Sequence, residues 1–169
     1  SNYKDNYASA ILFPFANRIK DGKYTFKDYK YKLDCNETHK NNALHGLVYN
    51  KLFVLINKEL TSDFASVTLQ YKDYGKVKGF PFKFHIELSY TLSKNGMTLA
   101  IKVKNKGKKT FPFTLGWHPY FYTTDLYKSS INFKSDKKYV CNEQQIITAT
   151  TALDLEMPFK LKDVKLDDG

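Results

Sequence analysis

The chain has 169 residues, enough for one domain with its own core, and its 42% hydrophobic and 16% aromatic content excludes a disordered segment. Its net charge of +10 rests on 27 basic residues, of which Arg18 alone is arginine. A surface that reads phosphates or bases recruits planar guanidinium forks, so nucleic acid is not expected as a partner. No apolar run approaches the ~20 residues of a membrane-spanning helix, and the opening SNYKDNYAS lacks an apolar signal core, so a soluble, cytoplasmic chain without a membrane partner is expected. The start at Ser-Asn and the end at LDDG suggest a piece of something longer.

In chain order, LFPFANRIKDGKY ends in a turn signal at Asp21-Gly22, and YTFKDYKYKL follows as a weak strand. The polar loop NETHKNN leads into NALHGLV, and KLFVLINKEL reads as a strand from its β-branched and aromatic content. Val67, Leu69 and Tyr71 alternate in a short strand. Phe84, Ile86, Leu88 and Tyr90 then alternate with polar residues, SKNG breaks the run, and Met97, Leu99, Ile101 and Val103 resume it, which is a hairpin signature. NKGKK leads into a predicted strand at FPFTL, GWHPYF stands at a strand end, and SINFKS is a further weak strand. No segment has the pattern of an ordinary amphipathic helix, and there is no repeat or linker. The expected fold is all-β, an antiparallel sandwich or barrel.

Three segments carry residues that chemistry can use. Where lysine serves every other positive charge, Arg18 reads either as a surface cation or as a guanidinium kept for two parallel hydrogen bonds to one acceptor group. His45 lies between Leu44 and Gly46, which suits a ligand site as well as a tight turn, and a core histidine is the plainer reading. His118 is held between Trp117 and Pro119, so its imidazole is either locked by packing or aimed at something. His39, in the NETHKNN loop, and His85, in the outward phase of a strand, look ordinary. No His-x-His or His-x-x-x-His spacing points to a metal, and no nucleophile motif surrounds a serine or cysteine. Cys35 and Cys141 leave a reduced pair or one disulfide open, and the reduced pair is favoured.

Taken together, LFPFANRIKDGKYTF, NALHGLV, VKNKGKKTFPFTLGWHPYF and the final LDD resemble the aldose 1-epimerase (galactose mutarotase) family, in order and over nearly the whole chain. The resemblance implies an antiparallel β-sandwich of the supersandwich type, one domain over residues 1–169 that is incomplete at both ends, and a small-molecule sugar as partner. It implies interconversion of the α and β anomers of a free aldose without metal or organic cofactor. By resemblance, His118 is the acid at the ring oxygen, His45 hydrogen-bonds the same region, and Arg18 binds sugar hydroxyls. Asp167, with Asp168 as the alternative, is similar to a sugar-binding aspartate. The family's general base, a C-terminal glutamate, has no counterpart in context among Glu37, Glu59, Glu87, Glu143 and Glu156. A hexose 6-phosphate epimerase is disfavoured by the single arginine, and a non-catalytic carbohydrate-binding module of the same fold is the other reading.

Overall fold

Alternation of apolar and polar residues folds this chain into antiparallel strands; a computed structural model describes residues 6–163, and these contain fourteen strands in six sheets. Five short strands come first: β1 (Ile11–Leu12), β2 (Arg18–Lys20), β3 (Lys23–Phe26), β4 (Tyr29–Lys32) and β5 (Asn42–Leu44). The long ones are β6 (Val54–Leu60), β7 (Phe64–Tyr74), β8 (Lys83–Ser93) and β9 (Gly96–Asn105). Short strands follow again: β10 (Gly116–Trp117), β11 (Ser130–Ile131), β12 (Lys137–Cys141), β13 (Ile147–Ala152) and β14 (Phe159–Lys160).

The long strands form one four-stranded sheet in the order β6-β7-β8-β9. Successive side chains of a strand point to opposite faces, so Phe84, Ile86 and Leu88 of β8 turn inward and are buried. His85, Glu87 and Ser89 face the other way. That outer face is a polar ladder in which Thr68 pairs with Ser89 and Gln70 donates to Glu87 at 2.8 Å. Against the inner face pack Phe13, Leu33, Val48, Phe80 and Phe82. Phe13 meets Phe84 edge to face at 4.9 Å, and each such ring contributes roughly 1.5–3 kcal/mol by leaving water. The cover is partial: Leu92 and Met97, paired across β8 and β9 on that same face, are exposed.

Three expectations change. YTFKDYKYKL is not one strand but the hairpin β3–β4, because Lys27 and Asp28 adopt left-handed φ of 47° and 64° and make a two-residue turn of the kind that Asn-Gly usually supplies. The strand read around Val67 to Tyr71 extends to eleven residues. FPFTL forms no strand, since Pro112 has no N–H to give a ladder, and Thr114 instead makes isolated hydrogen bonds to Pro14 and Ala16. Among the described residues Cys35 and Cys141 are free thiols, and no helix is long and apolar enough to cross a membrane.

Candidate functional site

Two small ladders bring the singled-out segments together. β1 pairs with β10, which places His118 just past Trp117; its N–H donates to the Ala10 carbonyl at 3.0 Å, and its own carbonyl accepts from Ser9. β2 pairs with β5, with Arg18 opposite Leu44, which places His45 at the end of that ladder. A bridge between Phe13 and Gly46 ties the two ladders to each other. Here the glycine is required. Its φ is 81°, and a Cβ would run into the Phe13 carbonyl oxygen. His45 itself is left-handed at φ 62°, with its N–H donating to the Asn17 carbonyl at 3.0 Å.

The result is that the His45 and His118 rings lie 5.5 Å apart, almost perpendicular at 87°. Tyr7 stands edge-on to His45 at 4.6 Å and roughly parallel to His118 at 6.5 Å, and Tyr120 stacks on His118 at 5.2 Å. Tyr49 completes the group, 4.9 Å from Tyr7. Asn36 organises it: its amide nitrogen lies within hydrogen-bond reach of the hydroxyls of Tyr7 and Tyr49 and of the Leu44 carbonyl, and its Oδ1 accepts from the Leu44 N–H at 2.7 Å. Both histidines are half-buried, so they are positioned by packing without being sealed from solvent. Burial and the neighbouring Tyr49 and Glu37 push the Tyr7 hydroxyl up, so it stays a neutral hydrogen-bonding group.

Arg18 is not a surface cation. Its Nε and Nη2 donate to both oxygens of Glu37 at 2.9 Å, and Nη1 donates to Asn17 Oδ1 at 3.3 Å. Both side chains of the pair are nearly buried, at 11% and 6% exposure. Asn42, fully buried, donates to Glu37 Oε2 and to the Gln144 carbonyl, both at 2.8 Å. Burial alone would raise the Glu37 carboxyl, but hydrogen bonds from Arg18 and Asn42 and the charges of Arg18 and Lys40 together hold it below the usual carboxylate range. Arg18 stands opposite Leu44, the residue before His45, and the charges of Arg18 and Glu37 reach the Tyr7 hydroxyl, whose ring meets His45 at 4.6 Å.

Of the residues singled out from the sequence, His45, His118 and Arg18 thus fall in one region, while Asp167 and Asp168 lie outside the described residues. His39 is exposed on a 3-10 turn, and His85 lies on the polar face of β8, as expected. Sequence reasoning passed over Tyr7, Asn36, Glu37, Tyr49 and Tyr120. Glu37 had an indirect signal: an arginine retained alone calls for a carboxylate of matching geometry, and the last residue of NETHKNN, Asn42, opens β5. Among the described residues no group of three or more His, Cys, Asp and Glu could hold a metal ion.

The sequence model of the family described as Aldose 1-epimerase matches residues 1–167. Galactose mutarotase of Rattus norvegicus is 27% identical over 169 aligned positions, covering 94% of this chain and 48% of the rat protein. The uncharacterised protein YihR of Escherichia coli is 32% identical over 111 positions, covering 65% of this chain and 34% of YihR. A solved galactose mutarotase-like protein of Clostridium acetobutylicum superposes with a TM-score of 0.75 at 25% identity, covering 89% of this chain and 48% of that one. The fold is therefore the galactose mutarotase-like β-sandwich, and the chain spans half or less of the length of these relatives.

Proposed function

The chain belongs to the aldose 1-epimerase family, and from that premise we infer that it interconverts the α and β anomers of a free aldohexose such as galactose or glucose. One observation carries the reading: His45 and His118, from distant parts of the chain, present their imidazoles 5.5 Å apart inside an aromatic group, and His45 follows the ladder that holds the nearly buried Arg18. Anomer exchange needs a proton given to the ring oxygen as the bond from C1 to that oxygen breaks, while the anomeric hydroxyl gives its proton to a general base, which the family resemblance makes a C-terminal glutamate without a counterpart in context among the glutamates of this chain, and C1 becomes an aldehyde. Rotation about the C1–C2 bond then offers the other carbonyl face, and reclosure reverses both transfers. Histidine suits the acid because its ordinary pKa, near 6.5, lets it give and regain a proton close to neutrality.

His118 takes that role, and His45 hydrogen-bonds the same region of the sugar. Tyr7, edge-on to His45, and Tyr120, stacked on His118, pack on the imidazoles and restrict their rotation, so the proton is offered along a fixed direction. Arg18 supplies a guanidinium for sugar hydroxyls, and Asp167 or Asp168 a carboxylate for the same purpose. The reaction involves no metal or organic cofactor.

Polarimetry of freshly dissolved α-galactose tests the reading. Rotation should decay faster with the protein than without it, and His118→Ala should cut that excess rate by roughly 10²–10⁴. An excess rate unchanged in His118→Ala removes the acid assignment. Arg18→Lys should chiefly weaken sugar binding, because an ammonium cannot repeat a two-pronged contact.

A second reading, a carbohydrate-binding module of the same fold, has its own support. Glu37, the glutamate nearest the histidines in this network, is held ionised by Arg18 and Asn42, which makes it a weak base. Galactose that binds while rotation decays only at the spontaneous rate would favour the module.

A further inference from the structure

We infer that Glu37 and Asn42 are positioning residues for Arg18, forming with the β12–β13 turn a relay that fixes the guanidinium of the proposed sugar site; the functional half of this inference rests on that reading. The relay is continuous. The Gln144 carbonyl, at the turn between β12 and β13, accepts from the Asn42 amide at 2.8 Å, the same amide donates to Glu37 Oε2 at 2.8 Å, and Glu37 accepts from Arg18 Nε and Nη2 at 2.9 Å. Gln144 adds a second tie, its Nε2 donating to the Lys40 carbonyl at 3.2 Å. The contacts between Asn42 and Gln144 join segments 102 residues apart, so the turn is brought to this place by tertiary structure and not by local chain geometry.

Three physical facts favour positioning over a merely stabilising ion pair. Removing two charges from water costs several kcal/mol per ion in general, so a buried pair is weak evidence of stability and better evidence of a fixed geometry. The carboxylate takes the Nε edge of the guanidinium, a two-pronged contact that sets both the plane and the rotation of the fork. Finally, the carboxylate has its own support from Asn42, a fully buried amide, so the arginine's partner cannot swing away without breaking a second bond. A surface cation needs none of this. A group that must present one edge to sugar hydroxyls beside Tyr7, His45 and His118 needs all of it.

Because Arg18 is the single arginine of the chain, its Nε–H gives one arginine side-chain resonance in a ¹H–¹⁵N spectrum. In the wild type that proton should be protected from exchange with water and shifted by its carboxylate partner. Glu37→Gln should remove the shift and speed exchange at least about tenfold, and Asn42→Ala should do so partially. If Glu37→Gln does not fold, Asn42→Ala and Glu37→Asp give the same readout. A wild-type Nε–H that exchanges like that of free arginine, or one unmoved by these substitutions, overturns the relay.

Galactose binding, followed by Trp117 fluorescence or spectral shifts, supplies the functional arm. Expected is wild-type binding that weakens about tenfold or more in Glu37→Gln, with Glu37→Asp between the two. Binding unchanged in Glu37→Gln overturns the positioning role while leaving the sugar reading standing. No galactose binding by the wild type overturns the sugar reading and the functional half of the inference, and the relay then stands or falls on the arginine resonance.

Discussion

Phe84 and Phe121 carry the same side chain and have opposite fates. Phe84 lies on the inner face of β8, wholly buried and in contact with Phe13, Phe80 and Phe111, whereas Phe121 is 85% exposed in the stretch after the GWHPY segment. The contrast extends to whole regions. From Ile11 to Val48 and from Phe80 to Leu88, apolar side chains meet across ladders and seal one core. Along β6, and in the strands from β11 to β13, every strand residue except Cys141 is exposed. Hydrophobic sequence therefore does not make a core by itself; a second layer must face it, and in this chain that layer covers only the Phe84 end of the large sheet.

The comparison can be broken or sharpened by mutation, most strongly at the packed end. Phe84→Ala should destabilise by about 3–5 kcal/mol, measured as the shift of a urea midpoint, because it leaves a cavity among rings that cannot collapse. Phe121→Ala should stay within about 0.5 kcal/mol. Equal effects would mean that the two regions are not energetically different.

Gly46→Ala comes next. It should cost more than about 1 kcal/mol, because the left-handed backbone and the Phe13 carbonyl both refuse a Cβ, and it should disturb the meeting of the two histidines. A side-chain spectrum in which the His45 and His118 resonances stay in place would sever that link between core and site.

A smaller effect depends on pH. The Glu37 carboxyl is held below its ordinary value of 4.5 in the folded chain, facing Arg18 on β2, Asn42 on β5, Lys40 on the adjoining 3-10 turn, and Tyr7. A depressed folded pKa contributes stability that is complete above about pH 4.5 and is lost as pH falls through the folded value. Wild type minus Glu37→Gln, followed by urea unfolding, should show that loss on the acid side alone. A difference independent of pH would deny the carboxylate its part.

The smallest effect belongs to the outer face of the large sheet. Lys102 lies 3.9 Å from Glu87 with its side chain 76% exposed, so Lys102→Ala should change stability by less than about 0.5 kcal/mol. A larger loss would give this polar face an energetic weight that its exposure does not suggest.

Much of the fold was legible in the sequence because strand alternation is local: Phe84 to Tyr90 and Met97 to Val103 show period two without any knowledge of their partners. What misled was local as well. Lys27-Asp28 makes a tight turn without the usual asparagine and glycine, and Pro112 removes a donor from a segment whose composition is that of a strand. At the site, the solitary arginine and the two constrained histidines drew notice by residue type. Glu37 did not, since a lone arginine asks for a carboxylate without saying which one, and nothing in NETHKNN says that this side chain turns inward to meet residue 18.

The amino-acid sequence by itself determined the class of structure, all antiparallel strands, and which side chains had unusual chemistry for their surroundings. Only the tertiary structure decided that His45 and His118 lie 5.5 Å apart, that Arg18 is clamped by Glu37 and Asn42, and which half of the large sheet is covered. The reason is physical. Alternation is written in neighbouring residues, whereas the ladders β1–β10 and β2–β5 and the Phe13–Gly46 bridge between them join segments far apart in the chain, and their pairing depends on all of them packing at once.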